Sequence, residues 1–319
     1  MEIFITKEIA ITRARSRIWF GKVFWRNRYL FLLLLPMMVW YVMFRYVPIG
    51  GSILAFKDYK FSKGIMRSDW AGLKHFQKLF ESPEFSRIFR NTILISLYKI
   101  IFQFPAPVIL ALMLNEVRIA IFRRTVQTIT YIPFFISWVV YGGLIAFLLS
   151  PTFGPVNIAL EFFGFKRIFF LATPGLFRSL LVITAILRET GYGAIIYLAA
   201  LSTIDPQLYE AAVMDGANKW RQLWHVTLPG MSSTIIVLLI IRIGYIFDVG
   251  FEQVFVLYNP TVYEVGDVIE TYTYRVGILQ SRFAFTTALG LFRSVIGFAL
   301  VIGSNYLARR ISGGEKGIW

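Results

Sequence analysis

Seven ionisable side chains stand inside runs of sequence that are otherwise apolar: Lys99, Arg188, Glu189, Arg242, Asp248, Glu252 and Arg293. A charge in hydrocarbon costs about 2.5–3.5 kcal/mol even on the lenient insertion scale, so each must face a bundle interior, a wet cavity or an opposite charge. Arg45 and Arg178 lie near the ends of their runs, where long basic side chains are predicted to snorkel. Two chemistries fit the deeper groups. Asp248 and Glu252, four apart on one helix, share a face and can bridge to Arg293 or Arg242 as interhelical ion pairs. Alternatively, a basic excess near the midplane lines a polar pathway that helps an acidic solute across. Tyr192 and Tyr197 carry rings that can stack on a sugar face, and Gly191 and Gly193 let a backbone or ligand come close. The segment 187–197 is therefore the candidate lining, with plain helix packing through the two glycines as the competing role.

A second polar stretch, DPQLYEAAVMDGANKWRQLWHVTLPG (205–230), interrupts two apolar runs. Asp205 suits an N-cap and Pro206 the first helical position, so a helix starts there. It is predicted to end at Gly216, where glycine adopts the left-handed conformation. A second helix, Asn218 to about Thr227, is expected to stop ahead of Pro229. Leu208, Ala211 and Ala212 fall on one side of the first helix and Glu210 on another. A helix this short is marginal in water and must pack on something. The residues alone leave two readings open, a docking surface for a partner and a cap that links two apolar runs.

The chain has 319 residues, 57% hydrophobic and 16% charged, with a mean hydropathy of +0.63. A soluble core cannot hide that much apolar surface, which predicts an all-α integral membrane protein. Six stretches are long enough to cross: about 29–48, 93–114, 126–149, 178–200, 233–256 and 285–307. They leave a basic arm 1–28, a six-helix domain 29–307 and a tail 308–319. The first stretch is too long, and starts too late, for a cleaved signal peptide. Placing the basic arm in the cytoplasm puts 15 Lys and Arg on inner segments and 12 on outer ones, eight of the latter in the loop 49–92. With that loop set aside the contrast is 15 against 4, the bias of short cytoplasmic loops. Within it, Leu73, Phe76, Leu79 and Phe80 recur at helical spacing, predicting a short amphipathic helix on the outer face.

Other chemistries are poorly served. There are no cysteines, which removes thiol catalysis, disulfides and thiolate metal sites. His75 and His225 are the only histidines, too far apart in sequence for a metal motif, so no metal and no catalytic set is expected. The net charge of +15 flanks or punctuates apolar runs instead of covering a soluble face, so nucleic acid is not an expected partner and membrane lipid is. No G-x-x-x-x-G-K-[ST] phosphate loop occurs, so no cofactor is expected in this chain.

The run YEAAVMDGANKWRQLWHVTLPG, with Glu210, Ala211, Ala212, Asp215, Gly216 and the closing Leu228 and Pro229, resembles the EAA loop of permease subunits in binding-protein-dependent ABC importers. Further stretches, 195–218, 250–278 and 287–305, resemble the carbohydrate permeases of that family, in particular its polysaccharide branch and alginate-importing members. The resemblance implies a type I importer permease with a coupling helix around Asp205–Gly216, in which Glu210 contacts an ATPase subunit and Gly216 allows the turn. It implies a second homologous permease, two cytoplasmic ATPase subunits that hold ATP and Mg, and an extracytoplasmic solute-binding protein. It also implies the bacterial inner membrane, cytoplasmic termini, and an oligosaccharide or polysaccharide cargo, acidic and alginate-like. Because LFRSVI and GFEQVF resemble general features of the branch, Arg293 and Glu252 say little about the cargo. The alternative, a secondary transporter or channel, predicts inverted repeats, and 29–149 shows no such likeness to 178–307.

Overall fold

A computed structural model describes residues 25–312 and 317; most of the basic arm 1–28 and the end of the tail lie outside the described residues. The chain divides after Trp70 into two compact units.

The first unit is an apolar helix, Arg28–Phe56, leading into a two-stranded antiparallel ribbon. The helix is apolar all round, and every residue from 28 to 50 is exposed, as in a helix solvated by lipid. The ribbon pairs β1 (Lys57–Asp58) with β2 (Asp69–Trp70), Lys57 opposite Trp70. Phe56 stacks on Trp70 with ring centroids 6.0 Å apart. Lys57 Nζ donates at 2.9 Å to the carbonyls of both Ile65 and Met66, closing the loop between the strands. Across the tip Lys63 bridges Asp69 at 2.8 Å, and that ammonium holds the Asp69 carboxyl below its usual range.

In the second unit, four continuous helices are long and apolar enough to cross a membrane: Pro83–Glu116, Pro174–Ser202, Lys219–Gly244 and Phe283–Arg310. A fifth crossing is broken: Ala120–Phe135 and Trp138–Leu148 meet at 106°, where 126–149 predicts one straight helix. With Arg28–Phe56 the total is five continuous helices, or six crossings if the bent pair counts as one. Span two starts at Pro83 and not at 93, because Ser82 caps that end by accepting from the Phe85 amide. The amphipathic helix Lys74–Glu81 ahead of it packs on span six, Phe80 edge-on to Phe292 at 5.4 Å.

Span five differs most. The helix closes at Gly244 and a separate one, Phe251–Leu257, follows a turn, so 233–256 is not one helix. Its other end runs through Pro229: Lys219 to Gly244 is continuous, where a stop ahead of the proline was expected. The chain accommodates the ring by widening one turn. Leu228 donates its amide to the Leu223 carbonyl, five residues back, and a π turn covers Leu223–Thr227. The same device precedes Pro105, with Phe104 N to Lys99 O at 2.9 Å, and Pro48, with Val47 N to Val42 O. Proline lacks an N–H and its ring presses on the carbonyl four residues back; an i to i−5 turn moves that carbonyl aside.

Candidate translocation cleft and coupling loop

The turn after span five is where spans two, four and six meet. Gly250 has a φ of +98°, a conformation that strains any side chain. The neighbouring amides of Val249 and Gly250 both donate to Glu270 Oε2 at 3.1 Å. From span two, Lys99 Nζ donates to Val249 O at 2.6 Å and Gln253 Oε1 at 2.5 Å, and Ser96 Oγ donates to the Ile246 carbonyl. Gln253, fully buried, donates onward to Leu181 O at 2.6 Å and Thr184 Oγ1 at 2.9 Å on span four. From span six, Arg293 lies 3.5 Å from both Asp248 and Glu270. A broken helix at membrane depth exposes backbone amides and carbonyls that lipid cannot satisfy, and these side chains satisfy them.

Beside this turn is a cleft of about 460 Å³ lined by Lys99, Gln103, Glu189, Thr190, Gly193, Tyr197, Arg242, Tyr245 and Asp248 among others, within the size range of ligand sites. Lys99 falls at the middle of the 34-residue run Pro83–Glu116, about 25 Å from either end at 1.5 Å per residue. Gln103 Nε2 donates to Glu189 Oε2 at 2.7 Å. Of the residues expected to line a pathway, the cleft gathers Lys99, Glu189, Tyr197, Arg242 and Asp248.

Four others stand elsewhere. Arg188 donates to the carbonyls of Phe134 at 3.1 Å and Ile136 at 2.8 Å, and its guanidinium lies 4.5 Å over the Trp138 ring. It caps the carbonyls freed at the bend of span three. Tyr192 stacks on Phe134 with ring centroids 3.9 Å apart. Glu252 is exposed, with no ion pair among the described residues: the span-five helix ends at Gly244, ahead of Asp248, and Glu252 belongs to the next helix. Arg293 reaches Asp248 as a bridge, but is absent from the cleft lining. Arg178, expected to snorkel, instead donates to Asn91 Oδ1 at 2.8 Å and Val265 O at 3.1 Å, because span four starts at Pro174 and buries its second turn. Gly191 is a packing glycine: a Cβ there meets the Thr130 carbonyl, whereas one at Gly193 meets only Pro107.

Gln103, Thr190, Gln253 and Glu270 are missed by a search for charges in apolar runs. Three are uncharged, and Glu270 sits in the segment between spans five and six. A polar residue inside IIFQF is the one available signal for Gln103.

The stretch 205–230 folds as its capping residues dictate at its first helix. Asp205 Oδ1 accepts from the Gln207 amide at 2.9 Å and the helix covers Pro206–Met214. Gly216 has a φ of +74°; its amide bonds to Val213 O at 3.0 Å and that of Ala217 to Ala212 O at 2.8 Å, the paired bonds of a Schellman end. Asn218 then caps the next helix by accepting from Arg221 N at 3.0 Å. Tyr209 Oη and Thr227 Oγ1, 3.0 Å apart, join the first helix to the π turn, and Lys219 bridges Glu116 at the end of span two at 3.1 Å. Glu210, Ala211, Asp215 and Gly216 are exposed, with Leu208, Val213 and Met214 exposed beside them.

A bundle broken at mid-depth, carrying an exposed capped helix on one end, defines a multi-pass permease. Residues 103–313 match the family described as binding-protein-dependent transport system inner membrane component, and the chain belongs to that family. It is 45% identical over 92% of its length to the polygalacturonan/rhamnogalacturonan transport system permease protein YteP of Bacillus subtilis (strain 168), covering 91% of that protein. It is 43% identical over 89% of its length to Protein LplB of the same organism, covering 90% of it. In three dimensions it matches a chain in the crystal structure of the bacterial alginate ABC transporter in complex with an alginate pentasaccharide-bound periplasmic protein. That match has a TM-score of 0.85 and 42% identity, over 93% of this chain and 99% of the other. The fold is that of a type I ABC permease.

Proposed function

We propose that this permease forms part of the pathway by which an acidic oligosaccharide or polysaccharide enters the cell, energised by separate ATPase subunits. The observation that carries the reading is near-full-length likeness, above 40% identity, both to a polygalacturonan/rhamnogalacturonan permease and to a chain of a transporter for the acidic polysaccharide alginate. A second homologous permease completes the pathway, and an external solute-binding protein delivers cargo. Of two cytoplasmic ATPases, which hold ATP and Mg, one docks on the exposed face of Pro206–Met214. Both termini lie in the cytoplasm, with 205–230 on the same side. Two features of the described residues support the pathway: the mid-depth cleft, and a broken span five beside it, as discontinuous helices line transport sites.

The test is uptake by proteoliposomes holding the permease with its partner permease, ATPases and binding protein. ATP-dependent import of oligouronides is expected; import of neutral oligosaccharides with oligouronides ignored would overturn the acidic assignment.

A further inference from the structure

The basic excess within the membrane is for the most part engaged by the protein itself. Lys99 serves Val249 and Gln253, Arg188 the carbonyls of the span-three bend, and Arg293 the pair Asp248 and Glu270. Arg242 is different. It lines the cleft, and its guanidinium makes no hydrogen bond or ion pair among the described residues, although Glu189, Asp248 and Glu270 are near enough to act on it. Counting Arg188 and Arg293, which stand outside the cleft but pair with its acids, and Glu270 at the turn, four bases (Lys99, Arg188, Arg242, Arg293) stand against three acids (Glu189, Asp248, Glu270). One positive charge is unmatched, and the group without a contact is Arg242.

The same cleft holds two buried side-chain oxygens without a partner, Gln103 Oε1 and Thr190 Oγ1. Buried polar atoms are ordinarily satisfied, and a threonine within a helix ordinarily bonds back to a carbonyl of its own turn. An unpaired guanidinium beside two orphaned oxygens and an exposed Tyr245 ring is the complement of one particular kind of ligand. It carries a carboxylate, hydroxyls and a flat apolar face on one small ring.

We propose that this cleft is a transit subsite for a single hexuronate unit, with Arg242 gripping the carboxylate and Gln103 and Thr190 receiving ring hydroxyls. The proposal rests on the acidic-cargo reading above. Guanidinium and carboxylate pair through two parallel N–H to O bonds, and the incoming carboxylate supplies the missing negative charge. Glu189 is held by Gln103 Nε2 and lies 3.8 Å from Arg188, and it makes no ion pair with the Arg242 guanidinium.

The experiment uses the assembled transporter in proteoliposomes, with an oligouronide and its carboxyl-reduced, neutral counterpart as probes. Arg242→Gln is expected to lower the rate of oligouronide uptake by about ten- to a hundredfold, the worth of a charge-assisted contact, while uptake of the reduced probe changes little. Arg242→Lys is expected to recover part of the loss. Equal losses on both probes, or no loss, would overturn the subsite. A wild-type complex that imports no oligouronide would instead overturn the cargo reading, so the two failures are separable.

A second measurement does not depend on the Arg242 variant folding. The chain has no cysteine, so Ile196→Cys, at an exposed position on the cleft wall, provides a single thiol there. Its labelling by a small maleimide is expected to slow when the complex turns over oligouronide and not when it is given the reduced probe. Equal protection by both probes, or by neither, would count against the assignment.

Discussion

Lys99 and Gln253, 154 residues apart in sequence, are joined in the buried interior by a hydrogen bond of 2.5 Å from Nζ to Oε1. Gln253 passes the connection to Leu181 and Thr184, so spans two and four and the helix after span five are pinned at one point. Lys99→Met removes the donor and orphans both Val249 O and Gln253 Oε1. Each unsatisfied buried acceptor costs about 1–3 kcal/mol. The expected outcome is a lowered thermal midpoint in detergent and a loss of transport equal for charged and neutral cargo; a selective loss of acidic cargo would give Lys99 a direct part in binding.

Arg188 holds the bend of span three by donating to two carbonyls at once. Arg188→Lys keeps the charge but loses the planar fork, so it is not expected to rescue Arg188→Gln. Hydrogen exchange over 132–140 should rise in both variants. Protection as in the parent protein would refute this role.

Gly191 is packed against the backbone of Thr130. Gly191→Leu forces spans three and four apart at about 1–3 kcal/mol, the usual range for overpacking. Gly193→Ala, whose Cβ would lie 3.0 Å from Pro107 Cγ, is expected to be milder. The comparison can be read from the thermal midpoints of the two variants.

Glu210 is exposed on the helix Pro206–Met214, which is proposed to dock an ATPase. Glu210→Lys is expected to abolish co-purification of the ATPase subunits and coupled uptake while the permease remains folded. Normal uptake in that variant would sink the docking reading.

Asp69 in the ribbon of the first unit has its carboxyl lowered by the bridge to Lys63. A carboxyl lowered by folding contributes stability above its unfolded pKa of about 3.9, and this is lost as pH falls through the lower folded value. Proteolysis of the loop 57–70 should therefore increase as the medium is acidified below about pH 4. Asp69→Asn should remove that dependence.

Legibility of these features in the sequence followed the range of the interactions involved. Local rules sufficed where a residue's partner lies within a turn or two: the Asp205 cap, the Gly216 stop and the apolar runs follow from neighbours alone. Pro229 misled because the usual reading, that proline ends a helix, assumes an α pitch; a π turn dissolves the clash without ending anything. Asp248 and Glu252 misled for a related reason. Their four-residue spacing carries meaning only within one helix, and the span-five helix ends at Gly244, ahead of both. The charges in the membrane were visible, but not their assignments, since Arg188 and Lys99 serve carbonyls that exist as acceptors only because distant segments bend.

Each π turn ahead of Pro48, Pro105 and Pro229 carries one residue more than an α turn would. One residue is about 100° of helix rotation. Removing any single residue from 99–103 would return the helix to α pitch and swing the N-terminal half of span two by more than a quarter circle, carrying Ser96 and Asn91 away from the groups they hold. Chain length is thus a constrained quantity in these windows, as much as residue identity. Across them, point substitutions should be tolerated at many positions, and one-residue deletions at none.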